Sequence, residues 1–129
     1  MENKLIPGLV SVTFRGMKPE EIIETAKKSG LKTIEWGSDV HVPAGDTKAA
    51  ENVKRLSDDN GILVASYGSY HGKGESGLFK FADSIRTAEQ IGAKNIRIWQ
   101  RTQRNLRHRK GLIISPTQGF LPIWRLKKI

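Results

Sequence analysis

The chain has 129 residues, with 22 Lys and Arg against 13 Asp and Glu. Residues 1–99 hold 14 basic and 13 acidic side chains, so the last 30 residues, with 8 basic and no acidic ones, carry nearly all of the +9 net charge. This length suits one small domain, and the absence of Cys excludes a disulfide framework, a thiolate metal site and a Cys nucleophile.

No apolar run approaches the roughly 18 residues of a membrane span, and the N-terminus lacks a signal pattern. A cytoplasmic protein without a membrane partner is expected. Leu9 to Phe14 reads as the first strand, bounded upstream by Pro7-Gly8. The first helix opens at Pro19, with Glu20 and Glu21 suited to its N-terminal dipole. Ile22, Ile23 and Ala26 form its apolar stripe, Lys27 and Lys28 lie in its last turn, and Gly30 ends it. Thr33 to Trp36 is the second strand. A helix from about Thr47 to Asp59 follows, with Ala50, Val53 and Leu56 spaced by three and Gly61 as its stop.

Ile62 to Tyr67 reads as the third strand. Leu78, Phe81, Ala82, Ile85, Ala88 and Ile91 mark a third helix closed by Gly92, and Asn95 to Trp99 is the fourth strand. Strand starts near 9, 33, 63 and 95 are separated by 24, 30 and 32 residues, the length of a βα unit. Strict alternation at that spacing predicts an α/β fold with a parallel sheet covered by helices over residues 1–99.

Residues 100–129 break this pattern. Gln100 to Lys110 is polar and basic without an apolar period, and Pro116, Gly119 and Pro122 interrupt the remainder. This tail is expected to be irregular and outside the fold of residues 1–99. It reads either as a functional basic arm or as out-of-frame sequence that follows loss of the reading frame near Gln100. The second is the working expectation, because the fourth strand is never followed by its helix.

Gly72-Lys73-Gly74-Glu75-Ser76-Gly77 matches the G-x-G-x-x-G spacing that brings backbone amides to a pyrophosphate. It lies in the third βα turn rather than the first, and no acid ends the following strand, so a plain glycine-rich loop is the expected reading. His41 and His71 follow the second and third strands, at the edge where parallel α/β folds place their sites. Each is either an ordinary loop residue or a group for ligand contact and acid–base work. Strand alternation adds Glu35 and Arg97. If Ile34, Trp36, Ile96 and Ile98 face the helices, then Thr33, Glu35, Arg97 and Trp99 share the other side. Glu35 and Arg97 there form either a structural ion pair or a pair of contacts to a polar ligand, and the sequence leaves both open.

The segment Gly30-Leu31-Lys32-Thr33-Ile34-Glu35-Trp36-Gly37, with Asp39, His41-Val42-Pro43 and Gly45-Asp46, resembles the sugar phosphate isomerase/epimerase family of xylose-isomerase-like TIM barrels. Gly8 to Arg15 and Ile91 to Trp99 fit the same pattern, so the likeness covers residues 5–99. It implies the first half of a TIM barrel, truncated after the fourth strand. A sugar-like substrate and a divalent metal (Mn, Mg or Zn) would sit at the C-terminal rim, with proton transfer next to a carbonyl as the chemistry. Members of that family draw their metal ligands from the second half of the barrel. No metal ligand or catalytic residue is therefore assigned, and a chain inactive alone and without bound metal is expected. Glu35, His41, His71 and Arg97 are the expected substrate contacts.

Two further readings compete with this one. Arg101, Arg104, Arg107, Arg109 and Lys110 could grip the phosphates of a nucleic acid. A half-barrel with exposed sheet edges could also pair with a second copy.

Overall fold

The computed structural model describes residues 4–71, 78–99 and 123–125. Three helices alternate with strands: β1 (Gly8–Val10), a 3-10 helix (Ser11–Phe14), α1 (Pro19–Lys28), β2 (Thr33–Gly37), α2 (Thr47–Asp59), β3 (Leu63–Gly68), α3 (Leu78–Gln90) and β4 (Asn95–Arg97). A fifth strand, β5 (Ile123–Arg125), completes a single sheet in the order β1-β2-β3-β4-β5. The first four strands are parallel, as expected, and β5 runs antiparallel to β4. The arrangement of β1 to β4 with three helices is that of half a parallel βα barrel. No helix among the described residues is long and apolar enough to cross a membrane.

All three helices stop by the same device. Gly30, Gly61 and Gly92 have φ of 69°, 64° and 74°, a left-handed conformation that only glycine adopts without a Cβ penalty. In each case the next residue donates its N–H to the carbonyl five residues earlier: Leu31 to Ala26, Ile62 to Ser57 and Ala93 to Ala88, each at 2.9 Å. The glycine N–H groups bond to Lys27, Asp58 and Glu89, which closes a Schellman motif three times. The starts differ. Pro19 opens α1, where the Glu21 carboxylate accepts the Lys18 N–H at 2.7 Å, and Asp46 caps α2 by accepting the Ala49 N–H at 3.0 Å.

The helices bury one face of the sheet. Ile34, Trp36, Tyr67 and Ile96 pack against Ile22, Ile23, Ala26, Ala50, Val53, Ala88 and Ile91, and Ile98 adds to the cluster from its margin. Two large polar rings are accommodated here because their heteroatoms find acceptors. Trp36 Nε1 donates to Ser57 Oγ at 3.2 Å, and Ser57 passes its own proton to the Val53 carbonyl at 2.6 Å. Tyr67 donates its hydroxyl to the Val42 carbonyl at 2.7 Å, and burial pushes its phenol well above the usual range. The opposite, inner face is more open: Val10 and Leu63 are 38% and 59% exposed.

The first strand is shorter than the sequence suggests. Leu9 to Phe14 has the composition of a strand, yet pairing ends at Val10 and Ser11–Phe14 turns as a 3-10 helix. Tertiary contacts override local preference. The Ser11 side chain is fully buried and accepts the Gly37 N–H at 2.9 Å, which occupies a donor that a longer β1 would have used. The fourth strand also ends early, at Arg97 rather than Trp99, although the Trp99 N–H still reaches the His71 carbonyl at 2.8 Å.

The tail, expected to be irregular, contributes the backbone of β5, with Ile96 paired to Trp124. A free edge beyond β4 accepts any short extended segment, so a strand can form there without a sequence signal of its own. The basic-arm residues Arg101, Arg104, Arg107, Arg109 and Lys110, and the glycine-rich turn 72–77, lie outside the described residues.

Candidate functional site

One irregularity in the sheet sets up the site. Thr33 and Ile34 pair with Leu63 and Val64, but Glu35 pairs with Ser66, so Ala65 is an extra residue in β3. Without it, Val64 and Ser66 would share a face. With it, Val64 joins Ile34 against the helices while Ser66 lies beside Glu35 on the inner face. The carbonyl of Ala65 is taken by Asn95 Nδ2 at 3.1 Å, so the bulge leaves no acceptor stranded there.

Glu35 and Arg97 meet on that inner face, as strand alternation predicts. Arg97 Nε donates to Glu35 Oε1 at 2.9 Å, and Ser66 Oγ donates to Glu35 Oε2 at 2.5 Å. The two side chains come from β2 and β4 and meet across β3. Their bridge is possible because the residue beneath it is glycine. A Cβ on Gly68 would lie 2.7 Å from Arg97 Nη2 and 2.8 Å from Glu35 Oε1. The pair is largely but not wholly covered, with the side chains 14% and 17% exposed for Glu35 and Arg97. Ser69 Oγ donates to the Arg97 carbonyl at 2.6 Å and fixes the backbone where β4 ends.

The Arg97 guanidinium also lies over the Trp99 ring, 5.1 Å from its centroid, and Trp99 stacks on Tyr70 with centroids 6.3 Å apart. Tyr70 in turn accepts from Arg15 Nη2 at 2.8 Å and donates to Asp39 Oδ2 at 3.3 Å, while Arg15 Nε bonds the same carboxylate oxygen. Arg15, Asp39, Tyr70 and Trp99 follow β1, β2, β3 and β4 respectively, so each of the four strand ends contributes one member. Burial pushes the Asp39 carboxyl up, but its bonds to the Arg15 guanidinium and nearby amides outweigh this and hold it below the usual carboxylate range. Because its folded value is depressed, the Asp39 contribution to stability is complete above the unfolded carboxylate range and is lost as pH falls through the folded value. Thermal melts of the wild type and Asp39→Asn between pH 6 and pH 2.5 should therefore differ most at the upper end and converge at the lower. A constant gap across that range would count against the ion pair.

The two histidines part company. His41 is 5% exposed, and both ring nitrogens are engaged inside the fold. Nε2 lies 3.0 Å from the Met17 carbonyl, which can only accept, so Nε2 carries the proton. Nδ1 then accepts from Ser11 Oγ at 3.1 Å, which leaves Ser11 free to receive the Gly37 N–H. His41 thus holds the segment after β1 against the loop after β2, and it packs edge-on to Trp36. His71 stacks on Phe81 with centroids 4.2 Å apart, and its Nδ1 has no hydrogen-bond partner among the described residues. The structure brings Glu35 and Arg97 together, places His71 in the third rim segment, and turns His41 inward.

Sequence reasoning passed over Arg15, Tyr70 and Ser66. For the first two a signal existed, since both lie within a few residues of a strand's C-terminal end, as His41 and His71 do. Ser66 had none, because its face depends on the bulge. Among the described residues no group of three or more His, Asp or Glu side chains is placed to hold a metal ion.

No protein-family model matches the sequence, and no curated protein matches it. Among solved structures the chain is similar to AsbF from Bacillus anthracis, described as a probable 3-DHS dehydratase involved in petrobactin synthesis. The TM-score is 0.53 at 16% identity, covering 74% of this chain and 38% of that one. The likeness is one of fold, and this chain spans well under half the length of that protein.

Proposed function

We propose that these residues form the first half of the ligand-binding rim of a parallel βα barrel that acts on a sugar-like substrate, in the manner of sugar phosphate isomerases and epimerases. The observation that carries the reading is the Glu35–Arg97 pair, set across Gly68 on the inner face toward the ends of the strands. Gly68 clears the space for the pair and Ser66 engages the second carboxylate oxygen, so both charged groups are held in fixed positions on a partly open face. A ligand with several hydroxyl groups needs donors and acceptors in fixed positions on one wall, which is what this arrangement offers. Arg97 would donate to a carbonyl or hydroxyl oxygen, and Glu35 would accept from a hydroxyl. His71 is a third contact on this reading, while His41 shapes the rim from within. No metal-holding group stands among the described residues, so no step is derived through a metal, and the chain by itself is expected to bind without turning substrate over.

The test is titration of the full chain with ribose and xylose, followed by NMR, together with Glu35→Gln and Arg97→Met. Hydrogen bonds to charged groups contribute about 1.5–3 kcal/mol each, so either variant should weaken binding by about tenfold or more. Absence of binding to the wild type, or binding by both variants as strong as that of the wild type, would refute the reading.

A further inference from the structure

Arg15 combines two properties that seldom occur together on a surface. Its side chain is 54% exposed, yet its guanidinium is tied down at two points, by Asp39 at Nε and by Tyr70 at Nη2. An exposed arginine normally samples many rotamers, and ordering it for a ligand costs conformational entropy. Here that ordering is already done. Two of its five N–H groups are used, and the other three have no partner among the described residues. Tyr70 is fixed in turn by its stack on Trp99, whose ring lies under Arg97. The route from Arg15 to the Glu35–Arg97 pair is therefore continuous: guanidinium, phenol, indole, guanidinium, carboxylate.

We infer that Arg15 is a ligand-contact residue of this rim, and that it receives an oxyanion (a carboxylate or a phosphate) carried at one end of the polyhydroxylated ligand that Glu35 and Arg97 hold. This rests on the reading of the inner face as a ligand site. A planar, half-exposed guanidinium with three N–H groups unbonded among the described residues matches the spacing of two oxygens on one acid group. Asp39 is a positioning residue: it cancels much of the long-range attraction of Arg15, so recognition depends on the direction of the N–H groups rather than on net charge. Tyr70 shares that role. The Asp39 carboxyl stays ionised at neutral pH, which keeps the clamp closed under working conditions.

The experiment has two arms on the full chain. In the first, arginine side-chain N–H signals of the wild type are followed by NMR during titration with inorganic phosphate and with acetate. A saturable shift of the Arg15 signal is expected, and shifts confined to other arginines would overturn the inference. In the second, ribose, ribonate and ribose 5-phosphate are titrated into the wild type, Arg15→Met and Asp39→Asn. Arg15→Met should weaken ribonate and ribose 5-phosphate about tenfold while changing ribose less than about twofold. Asp39→Asn should weaken the same two ligands by a smaller factor, because the charge remains and only its direction is lost. The ratio of ribonate to ribose 5-phosphate affinity identifies which oxyanion the site prefers. Equal loss for all three ligands, or no loss for any, would overturn the role of Arg15. If no sugar binds the wild type but phosphate still shifts Arg15, the anion contact stands and the Glu35–Arg97 reading falls.

Discussion

Trp36→Ala is expected to destabilise the chain by about 3–5 kcal/mol, enough to leave a small domain partly unfolded at ambient temperature. The indole is fully buried at the centre of the layer between sheet and helices, and it contacts α2 through Ser57. Truncation removes the ring from the core and leaves Ser57 Oγ with one fewer donor. Collapse around the void is opposed by three helices, each already fixed at its C-terminus by a glycine motif. Trp36→Phe keeps most of the volume and loses only the Nε1 hydrogen bond, so about 1–2 kcal/mol is expected. Urea unfolding followed by far-ultraviolet circular dichroism measures both, since the signal does not depend on the indole itself. A loss below 1 kcal/mol for Trp36→Ala would mean that this side chain does not organise the core.

Gly68→Ala should act on the site rather than on the core. The added methyl would meet the far ends of two side chains, Arg97 Nη2 and Glu35 Oε1, and not the backbone. Both can move aside, so the sheet persists while the bridge between β2 and β4 is pushed open. Two largely covered charged groups then lose their mutual bond. A cost of about 1–3 kcal/mol is expected, along with loss of the sugar affinity proposed for the pair. Gly16→Ala is the control: a Cβ there has nothing within 4 Å, so stability should stay within about 0.5 kcal/mol. Unaltered sugar binding in Gly68→Ala, with a crystal structure showing the ion pair intact, would contradict this account of the glycine.

Most of the architecture was readable from residue order because its determinants are local. The three helix stops are single glycines followed at once by an apolar residue, and the left-handed turn needs nothing else. The shared face of Glu35 and Arg97 followed from alternation within β2 and β4, neither of which contains an irregularity. What escaped depends on distant atoms. The end of β1 is set by Ser11 and Gly37, which are far apart in sequence. The inward turn of His41 requires Met17 and Ser11 to be in place first. Its position after β2 resembles that of a rim residue, and only the tertiary contacts show that both nitrogens are already taken. The bulge at Ala65 has no compositional mark, so the face of Ser66 could not be read. β5 likewise pairs with the edge of β4 through partners about thirty residues away in sequence, which local composition does not mark.

The threefold glycine stop also bears on how the chain reaches this shape. Each helix, its terminal glycine and the first residue beyond it are joined by hydrogen bonds spanning three and five residues. The direction in which each strand sets off is thus set by contacts of very short sequence separation. Loop-closure entropy for such contacts is small, and topologies built from them fold faster than those that must first join distant segments. During synthesis, a helix and its exit turn can form as soon as they emerge, and each new strand is delivered, already aimed, to the edge of the one before.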